Sequence, residues 1–145
     1  MHFYQPFDML KITIFIYEKE CFDMQDWNDY CFDKQGARLT YPFGDDVPVF
    51  RVGGKIFALF RETDGCPSVT LKCDPFRAES LREQFAEITP GYHMNKRHWN
   101  TVALNGSLSD QDIQMLIDHS YDLVFKSLTR EEKAVITANQ LMGRV

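Results

Sequence analysis

No stretch of this 145-residue chain approaches the ~18 apolar residues that a membrane-spanning helix needs. No basic segment followed by a signal-type apolar stretch opens it, which argues against secretion. Cysteine is sparse. Cys21, Cys31, Cys66 and Cys73 form no CxxC, and no histidine stands at zinc-ligand spacing from a cysteine pair. Free thiols in a reducing cytosol are the expectation, with no metal and no cofactor. The catalytic signatures GxSxG, HExxH, GxGxxG and the P-loop are all missing, so an enzyme is not expected. Asp118 and Asp122 stand four apart on a helical stretch, and a solvated face explains them. Repeats and low-complexity linkers are lacking too. Positive charge is in deficit, 16 Lys/Arg against 21 Asp/Glu for a net −5. That argues weakly against a protein that coats nucleic acid, because counterion release needs clustered cations.

The distribution of charge matters more than its sum. Residues 51–100 hold eight Lys/Arg against six Asp/Glu, while each remaining segment is net acidic. Any anion-binding face must come mainly from the middle of the chain. Hydrophobic content of 44% and charged content of 26% fit one ordinary globular domain with a real core.

Residues 1–23 read as an N-terminal extension, either an added edge strand at 11–17 or a loosely anchored tail. Residues 24–145 read as a single domain with a short C-terminal helix. Trp27, Tyr30 and Cys31 fall at i, i+3 and i+4 on a first helix that Gly36 stops. Tyr41-Pro42-Phe43-Gly44 is a turn-rich approach to the sheet. Residues 49–60 read as a hairpin about Gly53-Gly54, pairing Phe50 with Phe57 and Val52 with Lys55. Phe50, Val52, Phe57 and Leu59 would make the core face, with Arg51 on the other. Thr63-Asp64-Gly65 ends the hairpin, and 69–72 is a third strand. Asp74 caps a helix with Pro75 at its first position, and Leu81 and Phe85 carry its apolar stripe to about residue 86.

Residues 90–95 and 99–104 read as two further strands, ended by Asn105-Gly106. Ser109 with Asp112 resembles a capping box, and Ile113, Leu116, Ile117, Ser120, Tyr121, Val124 and Leu128 keep helical spacing. Thr129 with Glu132 opens a final helix through Ala134, Val135, Ala138 and Leu141, with Gly143 closing it. The order α-β(3)-α-β(2)-α, plus the tail helix, implies a two-layer α+β fold with an antiparallel sheet.

The most informative run is Pro90-Gly91-Tyr92-His93-Met94-Asn95-Lys96-Arg97-His98-Trp99-Asn100-Thr101-Val102. It concentrates imidazoles, cations, amides and aromatics, groups that pair with phosphate or stack on a flat ring. As a hairpin turning at Lys96-Arg97, it sets His93, Asn95, His98 and Asn100 on one face. Met94 and Trp99 would anchor the other face in the core. A short helical turn through 93–99 would change these facings. A polar hairpin that merely orders the sheet edge is the plainer reading. A metal held by His93 and His98 is disfavoured because no carboxylate or thiol is near in sequence. Lys55 and Lys72 form a second cationic pair, one after a glycine turn and one before the Asp74 helix start. They could hold a phosphate at the helix start, but a lysine beside a tight turn is usually solvated surface, and that is the stronger reading.

Together the motifs Tyr41-Pro42-Phe43-Gly44, Val52-Gly53-Gly54-Lys55 with Phe57, Leu71-Lys72-Cys73-Asp74-Pro75, the run from Pro90 to Val102, and Ser120-Tyr121-Asp122-Leu123-Val124 resemble the MmcQ/YjbR family. The resemblance spans about residues 24 to 128. Gln35 departs from it, standing where the family often has proline. The resemblance implies a CyaY-like, secretion-chaperone-like fold in a bacterial, cytoplasmic protein with no established catalytic residues. It also implies a double-wing DNA-binding label, with hairpins 49–60 and 90–104 as the wings. Fold alone does not fix function.

Two functions therefore stand as expectations. In the first, Arg51, Lys55, Lys72, Lys96 and Arg97 contact DNA phosphates, and His93, Asn95, His98 and Asn100 add polar contacts. In the second, the chain is a protein-interaction or adaptor module with an exposed apolar patch or a dimer face. A small-ligand pocket on the 93–100 face is a weaker third. A continuous positive surface around both hairpins favours DNA, and interruption by Asp or Glu favours a protein partner.

Overall fold

The computed structural model describes residues 22–143. The strand expected at 11–17 lies outside them. Helix α1 (Met24–Phe32) starts at a reciprocal capping box between Asp23 and Asp26. Strands β1 (Ala37–Thr40), β2 (Val49–Val52), β3 (Lys55–Thr63) and β4 (Cys66–Lys72) follow. Next come α2 (Pro75–Gln84), β5 (Ile88–Pro90), β6 (Trp99–Ala103), α3 (Asp110–Lys126) and α4 (Arg130–Gly143). The six strands form one antiparallel sheet in the order β1-β2-β3-β4-β6-β5. The fold is two-layer α+β, as expected.

The helix starts match their sequence signals. Asp74 accepts from the Arg77 amide, Ser109 accepts from the Asp112 amide, and Thr129 and Glu132 cap reciprocally. All seven apolar-stripe residues from Ile113 to Leu128 are buried. They meet Trp27 and Cys31 of α1 and the inward residues of the sheet in one core. Burial pushes the Cys31 thiol up to about 12.

Several expectations need correction. Strand β1 was not foreseen, because Ala-Arg-Leu-Thr is too short and mixed to announce itself. The 49–60 hairpin continues to Thr63, and β4 starts at Cys66 rather than at 69. Val52 does face Lys55, but Phe50 faces Ala58, not Phe57, because a β-bulge shifts the register between Phe50 and Arg51. The bulge puts Phe57 and Ala58 both on the core side. Leu59 is thereby moved to the opposite face, where it packs with Val47 and Val49. Ser120 stitches the bulge to α3. Its hydroxyl donates to the Phe57 carbonyl (2.6 Å) and accepts from the Lys72 amide (2.9 Å).

The second hairpin is shorter than expected. β5 is three residues long, and residues 91–98 form a turn-rich loop instead of strand. Pro90 stands opposite Asn100, and His93 lies outside the ladder. The loop is drawn tight at Gly91, whose amide donates to the Trp99 carbonyl (2.8 Å). A Cβ there would lie 2.6 Å from the Trp99 Cβ, so the close approach requires glycine.

Candidate functional site

Alternation along the strands divides the sheet into two faces. Phe50, Val52, Phe60, Val69, Leu71 and Val102 point to the helices. Arg38, Arg51, Arg61 and Lys72 therefore point to the opposite, helix-free face, which carries no helix among the described residues. So do Thr40, Thr70, Thr89, Thr101 and Trp99. The register agrees, because Thr70 and Thr101 share a 2.9 Å hydroxyl bond across β4 and β6. Among the described residues, no outward strand position carries Asp or Glu. Asp46, from the loop before β2, and Glu62 of β3 border a cavity beside Arg61. Arg38 and Arg51 are direct cross-strand partners. Like charges in that position are destabilising unless something anionic lies between them.

The structure separates the residues expected to form the site. Arg51 is on the helix-free face, where its Nε donates to Thr40 Oγ1 (3.3 Å) and its Nη1 to the Gly54 carbonyl (3.1 Å). Lys72 shares that face, paired with Trp99. Lys55 does not. Its Nζ reaches the Ser127 carbonyl (3.3 Å) and hydroxyl (3.2 Å) at the C-terminus of α3. The Gly53-Gly54 tip beside it abuts Leu128, 2.7 Å from a Cβ built on Gly53. That tip is docked on the helical layer and does not project as a wing.

His93, Asn95, Lys96, Arg97 and His98 stay together on the 91–98 loop. Asn95 Oδ1 accepts from the Arg97 amide (2.9 Å), and Lys96 Nζ donates to the Gly91 carbonyl (3.3 Å). Asn100 leaves the group. It is 3% exposed, accepts from Arg82 Nη1 (2.7 Å) and donates to the Ala78 carbonyl (3.3 Å). It faces α2, not a partner. Trp99 is half-buried on the helix-free face and Met94 is half-buried in the loop, so neither is the core anchor expected.

Arg38 and Arg61 were not singled out from the sequence, and Phe43 and Tyr92 stood there only as members of motifs. Arg61 lies towards the C-terminal end of β3, its guanidinium 5.6 Å from the Tyr92 ring centre and 6.0 Å from that of Phe43. Two loops from different parts of the chain thus converge on one cation. Arg61 Nε is shielded from solvent and has no hydrogen-bond partner among the described residues. The period-two reading that set Phe57 and Leu59 inward would have carried Arg61 inward as well, and only the bulge turns it outward. The meeting of residues 43 and 92 over it has no signal in local sequence.

A second polar cluster ties α1 to α3. Tyr30 Oη donates to Asp118 Oδ1 (2.7 Å), and Lys34 forms an ion pair with the same oxygen. Burial, then the Asp118 contact, raises the Tyr30 phenol above its ordinary range. The geometry is that of a structural clasp. Among the described residues, no group of three or more His, Cys, Asp or Glu is placed to hold a metal. Likewise, no described helix is long and apolar enough to cross a membrane.

Comparison with known proteins agrees with the fold. The YjbR family model matches residues 32–123. The chain is 39% identical over 97 residues to the protein named YbdF of Escherichia coli O157:H7, covering 67% of this chain and 80% of that one. It is 36% identical over 107 residues to the protein named YjbR of Escherichia coli K12, covering 74% and 91%. A crystal structure of a Deinococcus radiodurans protein with a DUF419 domain superposes with a TM-score of 0.72 at 35% identity, over 78% of this chain and 86% of that one. A Pseudomonas syringae crystal structure gives 0.64 at 32%, over 71% and 99%. On the family match, the identities and the shared fold, the chain belongs to the YjbR family.

Proposed function

We propose that this protein binds DNA across the helix-free face of its sheet, with the exposed 91–98 loop at one side. The supporting observation is the segregation of charge. A chain of net charge −5 places four cations, and among the described residues no acid, at the outward strand positions. Arg38 and Arg51 face each other directly, an arrangement that a bridging phosphate relieves. Lys96 and Arg97 add two more exposed cations on the 91–98 loop. The hairpin tip at Gly53-Gly54 and the inward Asn100 take no part, so the contact is a sheet face and not a pair of wing tips.

The test is a salt titration of DNA binding. Affinity should fall steeply with salt. Arg38→Ala combined with Lys72→Ala should lower the slope of log affinity against log salt by about 1.5 to 2, for two lost phosphate contacts. Lys126→Ala, on the helical layer, should leave it unchanged. Absence of binding at low salt would refute the reading. It would favour the alternative, a protein-interaction module, for which a groove of 940 Å³ bordered by Phe32, Gly36, Val135 and Ile136 is the supporting feature.

A further inference from the structure

The geometry points to a stacking site for unpaired bases at the Phe43–Arg61–Tyr92 cluster, which makes the face a reader of single-stranded DNA rather than duplex. The inference rests on the DNA reading above and deepens it.

Phe43 and Tyr92 are 55% and 57% exposed, although each is held against Arg61. Rings left this open in a folded domain bury little of the area that normally justifies them. Their position is set from three directions. Phe43 comes from the loop before β2, Tyr92 from the loop after β5, and Arg61 from the central strand β3. The Tyr92 amide donates to Thr101 Oγ1 (3.1 Å), which fixes its backbone over the sheet. His93 tilts against the Tyr92 ring with centroids 3.9 Å apart. His93 holds a left-handed backbone, φ 60°, which a non-glycine residue adopts at a cost.

Four planar groups therefore lie in succession, Phe43, Arg61, Tyr92 and His93. Open rings interleaved with a cation suit a base, which offers a π-face whatever its identity. In a duplex the bases are stacked on one another and cannot reach these rings. The phosphates of a single strand would run along Arg38, Arg51 and Lys72, with Asp46 and Glu62 bordering the small cavity beside Arg61. Those two carboxylates disfavour a phosphate at Arg61 itself and leave that position to a base.

The experiment compares a labelled oligothymidine, the same strand in duplex, and an abasic strand with equal phosphates. The oligothymidine should bind about tenfold tighter than the duplex or the abasic strand. Tyr92→Leu and Phe43→Ala should each weaken oligothymidine binding about five- to tenfold without changing abasic binding. Tyr92→Phe should preserve it, which separates stacking from lost packing. Equal, salt-sensitive binding of all three ligands would overturn the stacking site while sparing the sheet-face reading. No binding of any would overturn both.

Discussion

At the scale of single residues, this protein spends its polar side chains mostly on itself. Asn100, the most obvious amide in the signature run, is consumed by Arg82 and Ala78. Lys55 is consumed by Ser127. His119 shows the same economy, accepting from the Asp74 amide (3.2 Å) at the start of α2. Burial, then the nearby Arg77, holds its pKa below the ordinary 6.5, with Asp74 and Asp122 pulling the other way. Its folded form prefers the neutral ring. The stability this contributes is present above 6.5 and is lost as pH falls through the lower folded value. Denaturant midpoints measured on either side of that window should fall more for the wild type than for His119→Gln, whose amide oxygen can still accept. Equal falls would contradict the account. None of this was legible in the sequence, since burial of a polar side chain depends on which helix packs over it.

At the scale of elements, Ser120 has the most leverage. A small hydroxyl on α3 satisfies the Phe57 carbonyl freed by the bulge and the Lys72 amide at the end of β4. Ser120→Ala leaves both buried groups unpaired and should cost about 1–3 kcal/mol in a denaturation experiment. A loss within error of zero would mean that the bulge is stabilised otherwise. Helix α3 itself was plain in the sequence, because seven residues at 3.6 spacing and a Ser109 cap leave one solution. The bulge was not. Phe57-Ala58-Leu59-Phe60 is apolar throughout, so alternation gives no phase, and Leu59 was assigned to the wrong face. The 91–98 loop was misread for a related reason. Its polar residues alternate well enough to pass for strand, yet the chain leaves the ladder after Pro90.

At the scale of the whole molecule, the net charge misleads. Most acidic residues lie on or beside the helices, and the opposite face of the sheet keeps its cations. The fold class and helix order followed from caps and periodicity. The basic face required the register, which joins β1, unforeseen, to β2 and sets Arg38 against Arg51. The Arg61 cluster required tertiary convergence of two loops. The account's central claim is that DNA lies on the helix-free face. The most direct measurement is amide chemical-shift mapping by NMR during titration with a short DNA strand. Shifts should gather at Arg38, Thr40, Arg51, Arg61, Thr70, Lys72 and Tyr92, with α1, α3 and α4 quiet. Shifts centred on the helices, or none at low salt, would contradict it.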